Sequence, residues 1–239
     1  MDFIEREQPD VLLLEAEQYE KYIGKGLLME LDPLIQRDHY DLQSVYPTIT
    51  ELLQEKGQGK MYGLSPRFYG TAVFYNQALF EQNGIALPRE KMTWDELLEL
   101  AGRFPLKNND GKRIYGFGLR DGATVDALAD RMASTEGLTT VNPNQKKVVI
   151  ASDAWKQIMR LAVDACGSGH VYSKSAATGK PGQAESETDP FIQGNMAMTV
   201  DDLYLLNDLK RAKNRDPKSS AFPLGVVAGP VDPRTRFVE

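Results

Sequence analysis

Arg67, Phe68 and Tyr69 set a planar cation beside two aromatic rings, directly after Pro66. Stacking faces next to hydrogen-bond donors suit a polar, ring-shaped ligand, whose apolar faces cover the rings while its hydroxyls meet the cation. The same two rings would equally serve as core residues of a bent strand. Two carboxylates, Asp121 and Asp201, raise a second chemistry, the acid/base pair of a glycosidase, which needs roughly 5 to 9.5 Å between its carboxyl groups. A sequence does not supply that distance, and paired carboxylates also arise in structural and binding networks. Other catalytic material is thin. Neither a Gly-x-Ser-x-Gly elbow nor a glycine-rich phosphate loop before a helix is present. His39 lies in a connection between helices and His170 follows a Gly-Ser-Gly turn, so both read as surface residues. The single cysteine, Cys166, excludes an intramolecular disulfide; on the tail of an amphipathic segment it reads as a small buried residue. No metal and no cofactor is expected.

The elements that would position these groups follow from periodicity and punctuation. Pro9 to Leu14 is a continuous apolar run, the pattern of a central parallel strand buried on both faces. Glu15 to Lys25 is a helix with Tyr19, Tyr22 and Ile23 on one face. Asp32-Pro33 predicts an N-cap and first-turn proline for a helix through Arg37, and Val45 to Lys56 a further helix. Lys60 to Leu64 and Val73 to Tyr75 read as strands on either side of the Arg67 to Tyr69 crossing, with Asn76 as N-cap of a helix to Asn83.

Further on, Thr93 with Glu96 forms a capping box, and Trp94, Leu97, Leu98 and Ala101 form the buried stripe behind it. Ile114 to Leu119 is a strand whose glycines allow close backbone approach. Asp126 to Ser134 and Ser152 to Ala165 are helices, the second turning Trp155, Ile158, Met159 and Ala162 inward. Gly167 to Asp189 is a long polar stretch, a length that marks functional loops. Met196 to Val200 is a strand, Asp201-Asp202 caps a helix from Leu203 to Lys210, and Ala221 to Ala228 is the last strand.

Composition narrows the class. At 239 residues, 41% hydrophobic and 26% charged, the chain is ordinary globular material for one large or two small domains. A net charge of −6 with no basic stripe argues against a nucleic-acid partner. Lys210, Arg211, Lys213 and Arg215 read instead as the solvated end of a helix, where cations suit the dipole. No apolar run reaches the ~18 residues of a membrane span, and Met1 to Glu7 lacks the features of a secretory signal.

Five blocks occur in a characteristic order: Pro9-Asp10 with its apolar run, Gly26 to Leu31, Gly59 to Asn76, Thr93-Trp94-Asp95-Glu96-Leu97, and Phe191 to Thr199. In this order they resemble the extracellular solute-binding proteins of ATP-driven importers, in the branch that includes maltose-binding and other sugar-binding proteins. The resemblance implies a bilobal α/β fold of the periplasmic-binding-protein type II class, two lobes with mainly parallel sheets joined by a hinge, and ligand held in the cleft between them. It assigns residues 1–74 to a partial first lobe, 75–228 to the second and 229–239 to a return crossing. It also implies a fragment, without the family's opening strand and signal and with the first lobe incomplete. Loss of that strand would leave an edge beside Val11 to Leu14 open to association with another chain.

Carried over by position, the resemblance puts Glu17 and Gln18, Arg67, Phe68 and Tyr69, Arg120 and Asp121, and Asp201, Asp202 and Tyr204 at the ligand. Glu17 and Gln18 would equally be a solvated helix start. Tyr204 stands where the family commonly has a stacking tryptophan, and the acidic pair beside it is a departure. The implied function is binding a carbohydrate or related polar solute and delivering it to the permease subunits of an ABC importer, without catalysis. The implied location is extracytoplasmic, with contact to a membrane only through a lipid anchor absent from this sequence. The acidic total of Glu17, Asp121, Asp201 and Asp202 opens a variant, a cationic or amine-bearing ligand. A ligand sensor of the same fold and, more remotely, the carboxylate glycosidase are the alternatives.

Overall fold

Thr71 to Asn76 alternates small, β-branched and aromatic residues, and this stretch is the antiparallel strand around which the larger part of the chain is organised. The computed structural model describes residues 3–7, 9–42, 46–65, 70–120, 122–142, 147–173, 189–216 and 222–235. The chain divides into two compact units, Met1–Phe68 and Tyr69–Glu239. Thr71 to Phe74 pair inside the sheet of the second unit.

The first unit is helical among its described residues: α1 (Phe3–Glu7), α2 (Ala16–Gly24), α3 (Asp32–Arg37) and α4 (Pro47–Lys56). Its core gathers on Tyr19, Tyr22 and Met61, all buried. The Tyr19 hydroxyl donates to the Leu53 carbonyl at 3.4 Å and accepts from the Tyr62 amide at 3.0 Å, so a buried phenol has both partners it needs. Asp32 opens α3 without capping it; its carboxylate instead accepts from the Met61 amide at 2.8 Å, while the Leu31 amide donates to the Met61 carbonyl at 2.7 Å. These bonds fasten Met61 beside the start of α3.

Two strand expectations fail in this unit. Pro9 to Leu14 is irregular, with Val11 and Leu13 each 86% exposed, and Lys60 to Leu64 is irregular too. An apolar run becomes a strand only where another strand offers it a ladder, and no strand occurs among the unit's described residues.

The second unit holds a five-stranded mixed sheet in the order Val171–Tyr172, Tyr115–Leu119, Met196–Asp202, Thr71–Asn76 and Leu224–Val227. The strands are β1 (Thr71–Asn76), β2 (Tyr115–Leu119), β5 (Val171–Tyr172), β6 (Met196–Asp202) and β7 (Leu224–Val227); β3 (Val141–Asn142) and β4 (Lys147–Val148) form a separate antiparallel pair. β2 runs parallel to β5 and β6, and β1 runs antiparallel to β6 and β7. Four strands therefore point one way and β1 the other. Helices α5 (Gln77–Gln82), α6 (Trp94–Ala101), α7 (Val125–Thr135) and α8 (Asp153–Gly167) supply one apolar layer, with Phe80, Leu97, Leu128 and Trp155 packed on Phe117, Met198 and Val200. On the other face α9 (Tyr204–Arg215) adds Leu205 to Phe74, Phe191 and Met196.

The punctuation acts as its chemistry requires. Asn76 accepts from the Leu79 amide at 3.3 Å, Thr93 and Glu96 exchange capping bonds at 3.3 and 2.9 Å, and Ser152 accepts from the Trp155 amide at 3.5 Å. A Cβ on Gly116 would stand 2.0 Å from the Ala101 carbonyl oxygen, so only glycine lets β2 approach the end of α6 this closely. Met159, expected inward, is 37% exposed, because Trp155, Ile158, Ala162 and Ala165 already complete the buried stripe of α8.

Candidate functional site

Register brings the first two site residues together. Leu119, the last residue of β2, pairs with Val200 of β6, so Arg120, just past β2, and Asp201, the last residue but one of β6, stand at the same level. Both stand at the carboxyl ends of those strands, where open α/β sheets present their crevices. On the far side of β6 the antiparallel partner begins, with Ala72 opposite Asp201 and Thr71 opposite Asp202.

Arg120 Nη1 lies 3.6 Å from Asp201 Oδ1, and Nη2 of the same guanidinium is paired with Asp208 Oδ2 of α9. Asp208 also takes Arg211 Nη1 at 3.4 Å. Asp201 and Asp208 are buried, whereas the Arg120 side chain is 37% exposed. The arginine is thus the solvent-facing member of the group and the carboxylates its floor.

Asp201 Oδ1 accepts from the Asp202 amide at 2.8 Å, and Oδ2 is buried without a hydrogen-bond partner among the described residues. Burial pushes the Asp201 carboxyl above the usual range, against the opposing pull of the Asp202 amide and Arg120. Asp189 is buried as well and raised for the same leading reason; the Asp201 charge adds to the rise, while the Phe191 amide, 2.8 Å from Asp189 Oδ1, and Arg120 oppose it. Tyr172, raised by burial and by the neighbouring Tyr115 and Asp189, meets the Tyr115 ring edge-on at 5.1 Å between centroids.

Asp202 accepts from the Tyr204 amide at 2.7 Å, and Tyr204 is 52% exposed at the start of α9. The strand runs through both aspartates and the helix reaches Arg215, beyond the expected Lys210. Gln18 accepts from the Glu15 amide at 3.0 Å and so is engaged in capping α2. Glu17 lies in the first turn of α2, its side chain outside the described residues, as are Arg67, Phe68, Tyr69 and Asp121. His39 is exposed, and His170 is half-buried just before β5, with Nδ1 closed off and unpaired among the described residues.

Sequence reasoning passed over Asp189 and Asp208. A signal for Asp208 was present: with Leu205, Leu209 and Ala212 it sits at helical spacing on the face that packs on the sheet, and an acid on an apolar stripe demands a partner. Asp189 closes a polar stretch that carries no periodicity, so nothing local set it apart.

The arrangement offers one exposed multidentate donor over buried acceptors, a set fitted to hydroxyl- or amine-bearing solutes. The model of a bacterial extracellular solute-binding protein family matches residues 1–231. The chain belongs to that family. Solved structures agree on the fold. An ABC substrate-binding protein of Listeria monocytogenes in complex with cycloalternan is 21% identical, covering 89% of this chain and 50% of that one, at a TM-score of 0.60. UspC of M. tuberculosis is 20% identical over 92% and 54%, at 0.63. A solute-binding protein of an ABC transporter from Agrobacterium vitis, with bound D-mannitol, is 21% identical over 91% and 49%, at 0.55. The chain therefore spans about half the length of the solute-binding proteins it matches. No helix among the described residues is long and apolar enough to cross a membrane.

Proposed function

We propose that the chain carries one face of a binding site for a carbohydrate or related polar solute, which the protein hands to the permease subunits of an ABC importer outside the cytoplasm. Membership of the solute-binding family over residues 1–231 carries the reading. Support comes from the partly exposed Arg120 standing over Asp201 and Asp208 at the carboxyl ends of β2 and β6, and from solved neighbours that hold cycloalternan and D-mannitol. A guanidinium bonds hydroxyls through a fixed fork of donors and carboxylates accept from them, so a polyol is complementary to both kinds of group. In this reading the residues bind and do not catalyse. Calorimetric titration with neutral oligosaccharides and polyols tests it: saturable heat that falls at least tenfold in affinity in Arg120→Ala is expected. Sugar turnover by pure protein, or no heat from any polar solute in the panel, overturns it.

A further inference from the structure

The cluster at the end of β6 is unbalanced. Asp189, Asp201 and Asp208 are buried acids on three different segments, and the cations paired with them in the described structure are Arg120, shared between Asp208 and Asp201, and the 75%-exposed Arg211 on Asp208. Arg120 is held by Asp208 and stands 3.6 Å from Asp201, at the range of a Coulombic contact and beyond a good hydrogen bond. Asp201, with a side chain only 7% exposed, consequently keeps one oxygen with no donor among the described residues. A buried carboxylate oxygen in that condition is destabilised by its desolvation, and native proteins retain such groups where something else completes them. Its other oxygen is occupied by the Asp202 amide, so Oδ2 is left as a single buried acceptor.

Resting on the solute-binding reading, we propose that Asp201 Oδ2 is the acceptor for an ammonium group of the solute, and that this protein selects amine-bearing carbohydrates over their neutral counterparts. The ligand cation supplies Oδ2 with the donor that Arg120, held by Asp208 and facing Oδ1, does not. An ammonium supplies three donors and a positive charge, and both complete the site: a donor for Oδ2 and a counter-charge for an acidic surplus. A neutral hydroxyl supplies only the donor. An anionic sugar would add its charge to three carboxylates.

The experiment uses matched pairs, glucosamine oligomers against their N-acetylated forms and galactosamine against N-acetylgalactosamine, titrated calorimetrically into the chain. Expected is at least tenfold tighter binding of the amine member in one pair, shrinking severalfold between about 20 and 200 mM salt as the charges are screened. Asp201→Asn keeps an oxygen for the Asp202 amide and places an amide nitrogen at Oδ2; it should erase the amine preference. Asp153→Asn removes the same charge from a 92%-exposed position and should leave the preference intact. Neutral sugars bound as well as amines, or an amine preference that survives Asp201→Asn, overturns this inference and leaves solute binding standing. Heat from none of the pairs overturns it too, and a further absence of heat from neutral polyols removes the underlying reading.

Discussion

Arg120 and Asp208 form an ion pair between the end of β2 and the middle of α9, and the same guanidinium stands 3.6 Å from Asp201. One side chain thereby ties a helix to two neighbouring strand ends. Arg120→Met keeps the aliphatic stem and leaves two buried carboxylates without it. Because the arginine is 37% exposed, the loss falls below that of a fully buried pair, at about 2 kcal/mol. Urea unfolding should show a lower midpoint with an unchanged slope, and a midpoint within error of wild type would refute the tie.

Stability should respond to pH through Asp201 and Asp189. Burial raises both carboxyls in the folded chain above an unfolded value of about 3.9. The folded state then holds protons more tightly, so their contribution is full below the unfolded value and is lost as pH rises through the raised folded values. Asp232 works in the opposite sense: its bonds with Arg234 lower it to about 2, so its contribution is present above the unfolded value and fades as pH falls towards the folded one. Asp201→Asn removes one of the first kind. Measured by urea unfolding at pH 4, 5.5 and 7, its stability relative to wild type should climb with pH; a flat or falling difference contradicts the assignment.

Gly116 and Gly118 are two residues apart on β2 and should differ sharply in tolerance. A Cβ at Gly116 meets the Ala101 carbonyl oxygen at 2.0 Å, which is backbone, whereas at Gly118 it meets the flexible end of Met196 at 2.7 Å. Gly116→Ala should cost about 3 kcal/mol and Gly118→Ala about 1 kcal/mol. Thermal midpoints rank them, and equal losses would show that α6 does not press on β2.

Ile158 and Met159 offer the same contrast on a helix. Ile158 is 4% exposed and Met159 37%, so Ile158→Ala should cost about 3 kcal/mol and Met159→Ala about 0.5. Val11→Ser and Leu13→Ser, at positions already 86% exposed, should each fall within about 0.5 kcal/mol of wild type in urea; a loss above 2 kcal/mol for either would restore the buried-strand reading of Pro9 to Leu14.

Local rules explain what was legible. The caps at Asn76, Thr93 and Ser152 and the glycines of β2 were readable because each acts on groups a few residues away or excludes a side chain outright. Trp155, Ile158 and Ala162 followed from helical spacing, but the outermost residue of an apolar stripe, Met159, depends on how wide the facing surface is. The resemblance placed Arg120 and Asp201 without saying that they meet. Asp208, their partner, was visible only as an acid at a core position.

By itself the sequence determined the family, most helices, the caps at Asn76, Thr93 and Ser152, and the presence of strands around Val73 to Tyr75, Ile114 to Leu119 and Met196 to Val200, because those depend on bonds and periodicities within one segment. Only the tertiary structure decided that Pro9 to Leu14 finds no ladder, that β1 runs against its neighbours, and that Arg120, Asp201 and Asp208 share one charge cluster. Strand pairing and ion pairing join residues far apart in the chain, and the burial that raises Asp201 belongs to the packed layers and not to any stretch of sequence.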